Sequence, residues 1–492
     1  MLSNIVTNEK QDIGLISCIR IVRLGEEEAE MDKQGKRCRR RVVLVPCPFQ
    51  GHINPMLQLG TILHSKGFSV TIIHTQFNSP NPSSHPELIF LPIPDDLSDQ
   101  EIASGNLVVL ISALSDKCKK PFQECLLQMI VRQDSDDEIA CIIDDELMHF
   151  SEAVASQMKL PSMILRTISA ATFISRVVLL QIQEGGSIPF PDAISLDPVP
   201  ELSSLRFKDL PISKFGLTNN YLQLISHTCD IKTASAVIWN TMDCLEEPLL
   251  AKQQEKQFPI PIFKIGPIHK FAPALSSSLL NEETSCITWL DKQIPNSVLY
   301  ISLGSVASID ETELAEMACG LANSKQPFLW VIRPGSIHGS EWIELLPEGF
   351  IGTTKQQGHI VKWAPQREVL AHPAVGVFWS HCGWNSTLES ISEGVPMICR
   401  PCFGDQRVTA RYASHVWRIG LQLENKLERQ EIESTIRRLM VDEEGEGIRL
   451  RAKDLKENVE ICFRKGGSSY NSLNKLVEFM SVAQINTARD VR

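Results

Sequence analysis

The chain has few of the features that would place it in a membrane, outside the cell or on a nucleic acid. No run in its 492 residues approaches the ~20 consecutive apolar positions that a membrane-spanning helix needs. The nearest candidate, residues 163–180, is interrupted by Arg166 and Arg176. The 14 cysteines contain a single CxxC, Cys399 to Cys402, with no second pair to complete a zinc site. That usage fits free thiols in a reducing compartment, and a cytoplasmic location is expected. The opening thirty residues hold an apolar patch, Ile13 to Ile21, but acidic Glu9 and Asp12 precede it and Arg20 lies within it, unlike a secretory signal. With a formal net charge of −11 and no basic stripe carrying interleaved aromatics, a nucleic-acid partner is not expected. The one basic cluster, Lys36 to Arg41, reads as solvated charge flanking a first buried strand. GxGxxG is absent from the turn after that strand, which excludes a nicotinamide-dependent oxidoreductase.

What is present is ample core material: 43% hydrophobic and 22% charged residues, an ordinary globular composition. A chain this long exceeds what one core usually organises, so two domains with a cleft between them are expected. Val42 to Val45 is a continuous, mostly β-branched run that reads as a strand buried on both faces, as in parallel sheets. A loop from Cys47 to Ile53 follows, and Asn54-Pro55 is the expected start of a helix running to Gly67, ahead of a second strand. The same βαβ grammar restarts at Val298 to Leu303, with a Gly304-Ser305 loop, a helix from about Glu311 and a strand at Phe328 to Ile332. Between the halves lies proline- and serine-rich linker composition. The expected division is an N-terminal extension over 1–40, outside the folded core, a first domain over 41–270 and a linker over 271–284. A second domain then covers 285–465, and a C-terminal helix and tail over 466–492 pack back on the first domain.

The densest signal runs from Trp363-Ala364-Pro365-Gln366 to Asp405-Gln406, with His381-Cys382-Gly383-Trp384-Asn385-Ser386 at its centre. A strand closing at Ser380, a glycine turn and a helix opening at Asn385 put a helix N-terminus at the carboxyl end of a parallel strand, a ready anion site. This segment resembles the signature box of plant UDP-dependent glycosyltransferases, and the resemblance extends from about Arg41 to Met480. It implies an α/β GT-B fold of two facing Rossmann-like domains with parallel sheets. It also implies donor roles: Trp363 stacking on uracil, Ala364 bonding it through its backbone, and Gln366 and Glu389 on the ribose hydroxyls. His381, Asn385, Ser386 and Ser305 would hold the diphosphate, and Asp405, Gln406 and Trp384 the sugar, with glucose the expected donor group. The chemistry agrees, since a flat indole suits a base, a carboxylate suits vicinal hydroxyls, and neutral donors at a helix start suit phosphate.

By the same resemblance His52, in Gln50-Gly51-His52-Ile53-Asn54-Pro55, is the general base that deprotonates the acceptor. Of two adjacent acids at a second strand end, Asp145 rather than Asp144 orients it, and Thr167 contacts the sugar. Inverting transfer giving a β-glucoside is the implied reaction. Asp134-Ser135-Asp136 looks like the DxD metal motif of other glycosyltransferases, but it precedes its strand and reads as a solvated loop. No metal and no other cofactor is expected. The expected partners are a UDP-sugar and a small lipophilic plant metabolite, with the protein a monomer. Oxygen acceptors (phenolic, terpenoid or carboxylic) rank first and cytokinin N-glucosylation is the alternative. A UDP-sugar epimerase of the same architecture has no use for the signature box, and a non-catalytic sugar sensor would have lost His52 or Asp145, both of which are here.

Overall fold

The computed structural model describes residues 40–131, 138–184, 196–199, 202–213, 216–231, 233–256, 260–273 and 278–482. The expected extension over 1–40, apart from Arg40, lies outside them, as do most of the basic cluster, the Asp134-Ser135-Asp136 triplet and the last ten residues.

Two parallel sheets organise the chain. The first contains β1 (Arg41–Val45), β2 (Ser69–Thr75), β3 (Ile89–Ile93), β4 (Ile139–Asp145) and β5 (Ser162–Arg166). A short antiparallel hairpin, β6 (Pro198–Val199) and β7 (Leu202–Arg206), stands apart before β8 (Ala236–Trp239) and β9 (Ile262–Lys264) complete that sheet in the order β3-β2-β1-β4-β5-β8-β9. The second comprises β10 (Val298–Ser302), β11 (Phe328–Val331), β12 (Gly358–Val361), β13 (Val375–Ser380), β14 (Met397–Cys399) and β15 (Gly420–Gln422), ordered β12-β11-β10-β13-β14-β15. Val42 to Val45 and Ile139 to Ile143 are almost fully buried, because helices cover both faces.

Each sheet reverses its winding once, between β1 and β4 in the first and between β10 and β13 in the second. Ligands of open α/β sheets bind outside the carboxyl ends of strands at such switch points. The segments leaving these strands carry His52, Asp145, Ser305 and His381, so the topology alone brings the sequence candidates to one cleft.

One boundary differs from the sequence expectation. The helix after β1 spans Gln50–Ser65 and begins four residues before Asn54, with Pro55 inside it. Pro55 sits in the second turn, where its missing N–H forfeits only the bond to the carbonyl of Gly51, so the helix tolerates it. His52 therefore belongs to the first turn of a helix, not to a loop.

The last helix, Ser468–Val482, returns to the first sheet, where Leu473, Leu476 and Met480 share a core with Val42, Leu44 and Ile143. Arg40 Nη1 donates to the carbonyl of Met480 at 3.1 Å.

Candidate active site

A cavity of about 380 Å³ runs between the two sheets and is lined by every sequence-predicted site residue except Asp145, which lies beneath it, wholly buried. The first-sheet side begins with the end of β4, where two carboxylates follow a run of buried aliphatics. Asp145 Oδ2 stands 2.8 Å from His52 Nδ1, and its Oδ1 accepts the backbone N–H of Leu147 at 3.0 Å. Asp144 takes no part in this: it is buried, its Oδ1 has no partner, and burial, with Glu152 and Asp145 nearby, holds its carboxyl well above the usual range. Thr167 Oγ1 lies 3.0 Å from His52 Nδ1, so its hydroxyl also touches the nitrogen that faces Asp145. Of the residues read from sequence as sugar contacts, Thr167 is the one found supporting the imidazole.

A carboxylate at this distance places the proton on Nδ1 and leaves Nε2 as the basic nitrogen. Burial alone would lower the His52 pKa. The charges of Asp145, then Glu146 and Asp405, more than reverse this and raise it above its ordinary value.

The second-sheet side is built around the helix Trp384–Glu393, which starts at Gly383 without a side-chain cap. The N–H groups of its first turn have no partner within the helix and point their dipole into the cavity. His381 packs into a seat made by two glycines: an added Cβ would lie 2.7 Å from its ring at Gly304, whose φ is +78°, and 2.5 Å from it at Gly383. Burial lowers its pKa to about 4, so it meets a ligand as a neutral donor.

Gln366, Ser386 and Glu389 form one network. Gln366 Nε2 donates to Ser386 Oγ at 2.9 Å and to Glu389 Oε2 at 2.7 Å, while Tyr300 donates to Gln366 Oε1 at 3.2 Å. Burial raises the Glu389 pKa against the opposing pull of Gln366. Ala364 and Ser305 line the wall, and the Trp363 indole N–H is fixed by Ser278 Oγ at 2.7 Å. Gln406 Oε1 accepts the backbone N–H groups of Cys402 and Phe403, at 2.8 and 3.2 Å. Beside it, Asp405 opens its helix with a pKa raised by burial, against the pull of Arg176 and His52.

Two box residues reach across the cleft instead of into it. The Trp384 indole N–H donates to the carbonyl of Asn240 at 2.7 Å, leaving only its backbone N–H for a ligand. Asn385 Nδ2 donates to the carbonyl of Gly51, the group that Pro55 leaves without a helical partner, and its Oδ1 accepts from Asn240 Nδ2 at 3.2 Å. Asn240, Ser278 and Tyr300 are residues that motif reading misses: Ser278 and Tyr300 line the cavity, and Asn240 lies buried behind Trp384 and Asn385. Asn240 alone carries a usable signal, since it directly follows a buried parallel strand of the first sheet.

Among the described residues no helix is long and apolar enough to cross a membrane, and no cluster of three histidine, cysteine or acidic side chains could hold a metal.

Residues 100–449 match the sequence family described as UDP-glucoronosyl and UDP-glucosyl transferase. A flavonol 3-O-glucosyltransferase of Arabidopsis thaliana, UGT76E12, is 49% identical over 450 residues, covering 90% of this chain and 98% of the relative. UDP-glycosyltransferase 76E1 of Solanum lycopersicum is 49% identical over 449 residues, 90% of this chain and 93% of its own. Among solved structures, a UDP-glucose:anthocyanidin 3-O-glucosyltransferase in complex with UDP superposes with a TM-score of 0.79 at 26% identity, over 91% of this chain and all of that one (100%). The Phytolacca americana UGT2 complex with UDP-2fluoro-glucose and pterostilbene gives 0.77 at 26% identity, over 90% and 100%.

Proposed function

Because the chain belongs to the UDP-glucoronosyl and UDP-glucosyl transferase family, and is a UDP-glycosyltransferase of GT-B architecture, we propose that it transfers glucose from UDP-glucose to an oxygen of a small lipophilic plant metabolite. The observation that carries this reading is the His52–Asp145 pair, 2.8 Å apart, opposite an uncapped helix start.

In this mechanism the acceptor hydroxyl gives its proton to His52 Nε2 as its oxygen attacks the anomeric carbon from the face opposite the diphosphate. The bond between that carbon and the phosphate oxygen breaks, UDP leaves, and the product is a β-glucoside. Asp145 holds the imidazole and stabilises the imidazolium that forms. The first-turn N–H groups, His381 and Ser305 meet the charge growing on the leaving diphosphate, with Ser386 and Asn385 once these exchange their protein partners, and no metal takes part. Trp363 and Ala364 take the uracil, Gln366 and Glu389 the ribose, and Asp405 with Gln406 the sugar hydroxyls. A monomer in the cytoplasm completes the reading.

Glucose and an oxygen acceptor are supported by the names of the flavonol and anthocyanidin glucosyltransferases to which the chain is similar. Cytokinin N-glucosylation is the second reading, since a ring nitrogen already presents a lone pair and needs no base. Purified protein offered UDP-glucose, UDP-galactose and UDP-glucuronate in competition, against a panel of phenols, alcohols, acids and cytokinin bases, tests both choices by mass spectrometry. Preference for another donor, or glucosylation of adenine-type cytokinins alone, would overturn the proposal.

A further inference from the structure

Arg166 and Arg176, which break the apolar run over residues 163–180, both turn inward on Glu146. Arg166 is wholly buried, with Nη1 3.6 Å from Glu146 Oε2, Nη2 donating to the carbonyl of Thr228 at 2.9 Å, and its guanidinium 3.9 Å over the Phe173 ring. Arg176 is placed differently. Its Nη1 donates to Glu146 Oε1 at 2.8 Å and reaches Thr228 Oγ1 at 3.4 Å, yet the residue lines the cavity with its side chain 12% exposed. Its Nη2 meets no protein acceptor among the described residues, and it is not sealed from the cavity.

The same cavity carries apolar Leu107, Val108, Ile111, Leu147, Ile168 and Leu224 in its lining, with Tyr221 and Asp405 near the guanidinium. Both guanidinium groups lean on Glu146, Glu152 also acts on Arg166, and Asp405 acts on Arg176 from the donor side, so what Arg176 offers the cavity is its open Nη2 edge rather than unbalanced charge. A planar guanidinium with a free N–H edge in a dry pocket recognises an oxyanion far better than a neutral ester.

Resting on the glucosyl-transfer reading above, we infer that Arg176 selects the acceptor. The cavity takes a small hydroxylated or phenolic acid, its carboxylate on Arg176 Nη2 while its hydroxyl lies on His52 Nε2. The charged end anchors the molecule and the hydroxyl is glucosylated.

The test is the full chain with UDP-glucose and three matched pairs: para-hydroxybenzoate, para-coumarate and phenyllactate, each beside its methyl ester. At least one acid is used roughly tenfold or more better in kcat/KM than its ester, the effect of one charge-assisted hydrogen bond. In Arg176→Leu that preference disappears, the acid falling to the level of its ester; Arg176→Lys restores part of it. Where Arg176→Leu leaves Glu146 only its longer contact with Arg166 and the protein fails to fold, Arg176→Gln keeps a polar partner for Glu146 and carries the same loss of preference, read as the acid-to-ester ratio. Esters used as well as acids by the unmodified protein, or a variant that loses both alike, would overturn the assignment and leave glucosyl transfer standing. A protein that binds no UDP-glucose and modifies neither member of any pair would sink the reading beneath it.

Discussion

His52 Nδ1 lies 2.8 Å from Asp145 Oδ2, and the first turn of the helix after β1 and the last residue of β4 thereby bring together side chains 93 residues apart. Replacing His52 with Ala removes the proton acceptor and nothing that holds the nucleotide. Turnover on hydroxyl acceptors should fall by about 10² to 10⁴, the range for losing a general base, while the Kd for UDP-glucose by calorimetry stays within about twofold. Asp145→Asn should give a smaller loss of the same kind. A parallel loss of donor affinity would make His52 a structural residue.

The acidic limb of the pH profile follows from the same pair. A base must be unprotonated to act, and the His52 pKa is raised in the fold, so kcat/KM should decline with falling pH around a midpoint above the ordinary ~6.5. Asp145→Asn removes the largest raising influence and leaves burial, which lowers, so its midpoint should move to lower pH. An unmodified enzyme with its midpoint at or below ~6.5 contradicts this account.

Gly383 tests the seat of His381. Its backbone, at φ −60°, suits any residue, but an added Cβ would stand 2.5 Å from the imidazole Nε2. Gly383→Ala should therefore displace the ring and raise the KM for UDP-glucose about tenfold, the effect of one good hydrogen bond, with the acceptor KM unchanged. An unaltered donor KM would show that His381 does not touch the donor.

Turnover should be unaffected by millimolar EDTA. First-turn N–H groups and neutral donors carry the leaving diphosphate in the proposed reaction, and a divalent ion has no step to serve. Progress curves before and after chelator measure this, and complete arrest would refute the metal-free reading.

The parts of this site that the sequence discloses are those built within one strand–turn–helix unit. The box from Trp363 to Gln406 is legible because its spacing is local: β13 ends at Ser380, a short turn follows, and a helix opens at Trp384. Relations made only by bringing the two sheets together are not legible that way. The sequence offers Trp384 as a sugar contact but not its hydrogen bond to Asn240 at 2.7 Å. It offers Thr167 in the same role but not the approach of its hydroxyl to His52. The helix start at Gln50 is missed because Asn54-Pro55 is an orthodox opening, and the folded chain instead places Pro55 where its lost bond is made good from outside. Arg176 reads from sequence only as an interruption of an apolar run, since Glu146 stands 30 residues before it.

Pro55 has an effect beyond its own helix. A residue without an N–H in the second turn hands the carbonyl of Gly51, one position before the base, to a side chain of the nucleotide-holding half. In the proposed reaction the diphosphate takes that side chain, so the hydrogen bond between the halves is a latch that the donor must open. A first domain grafted from a relative whose second turn keeps that carbonyl occupied would leave the amide free from the start, and the hybrid would take up UDP-sugar without first parting its halves.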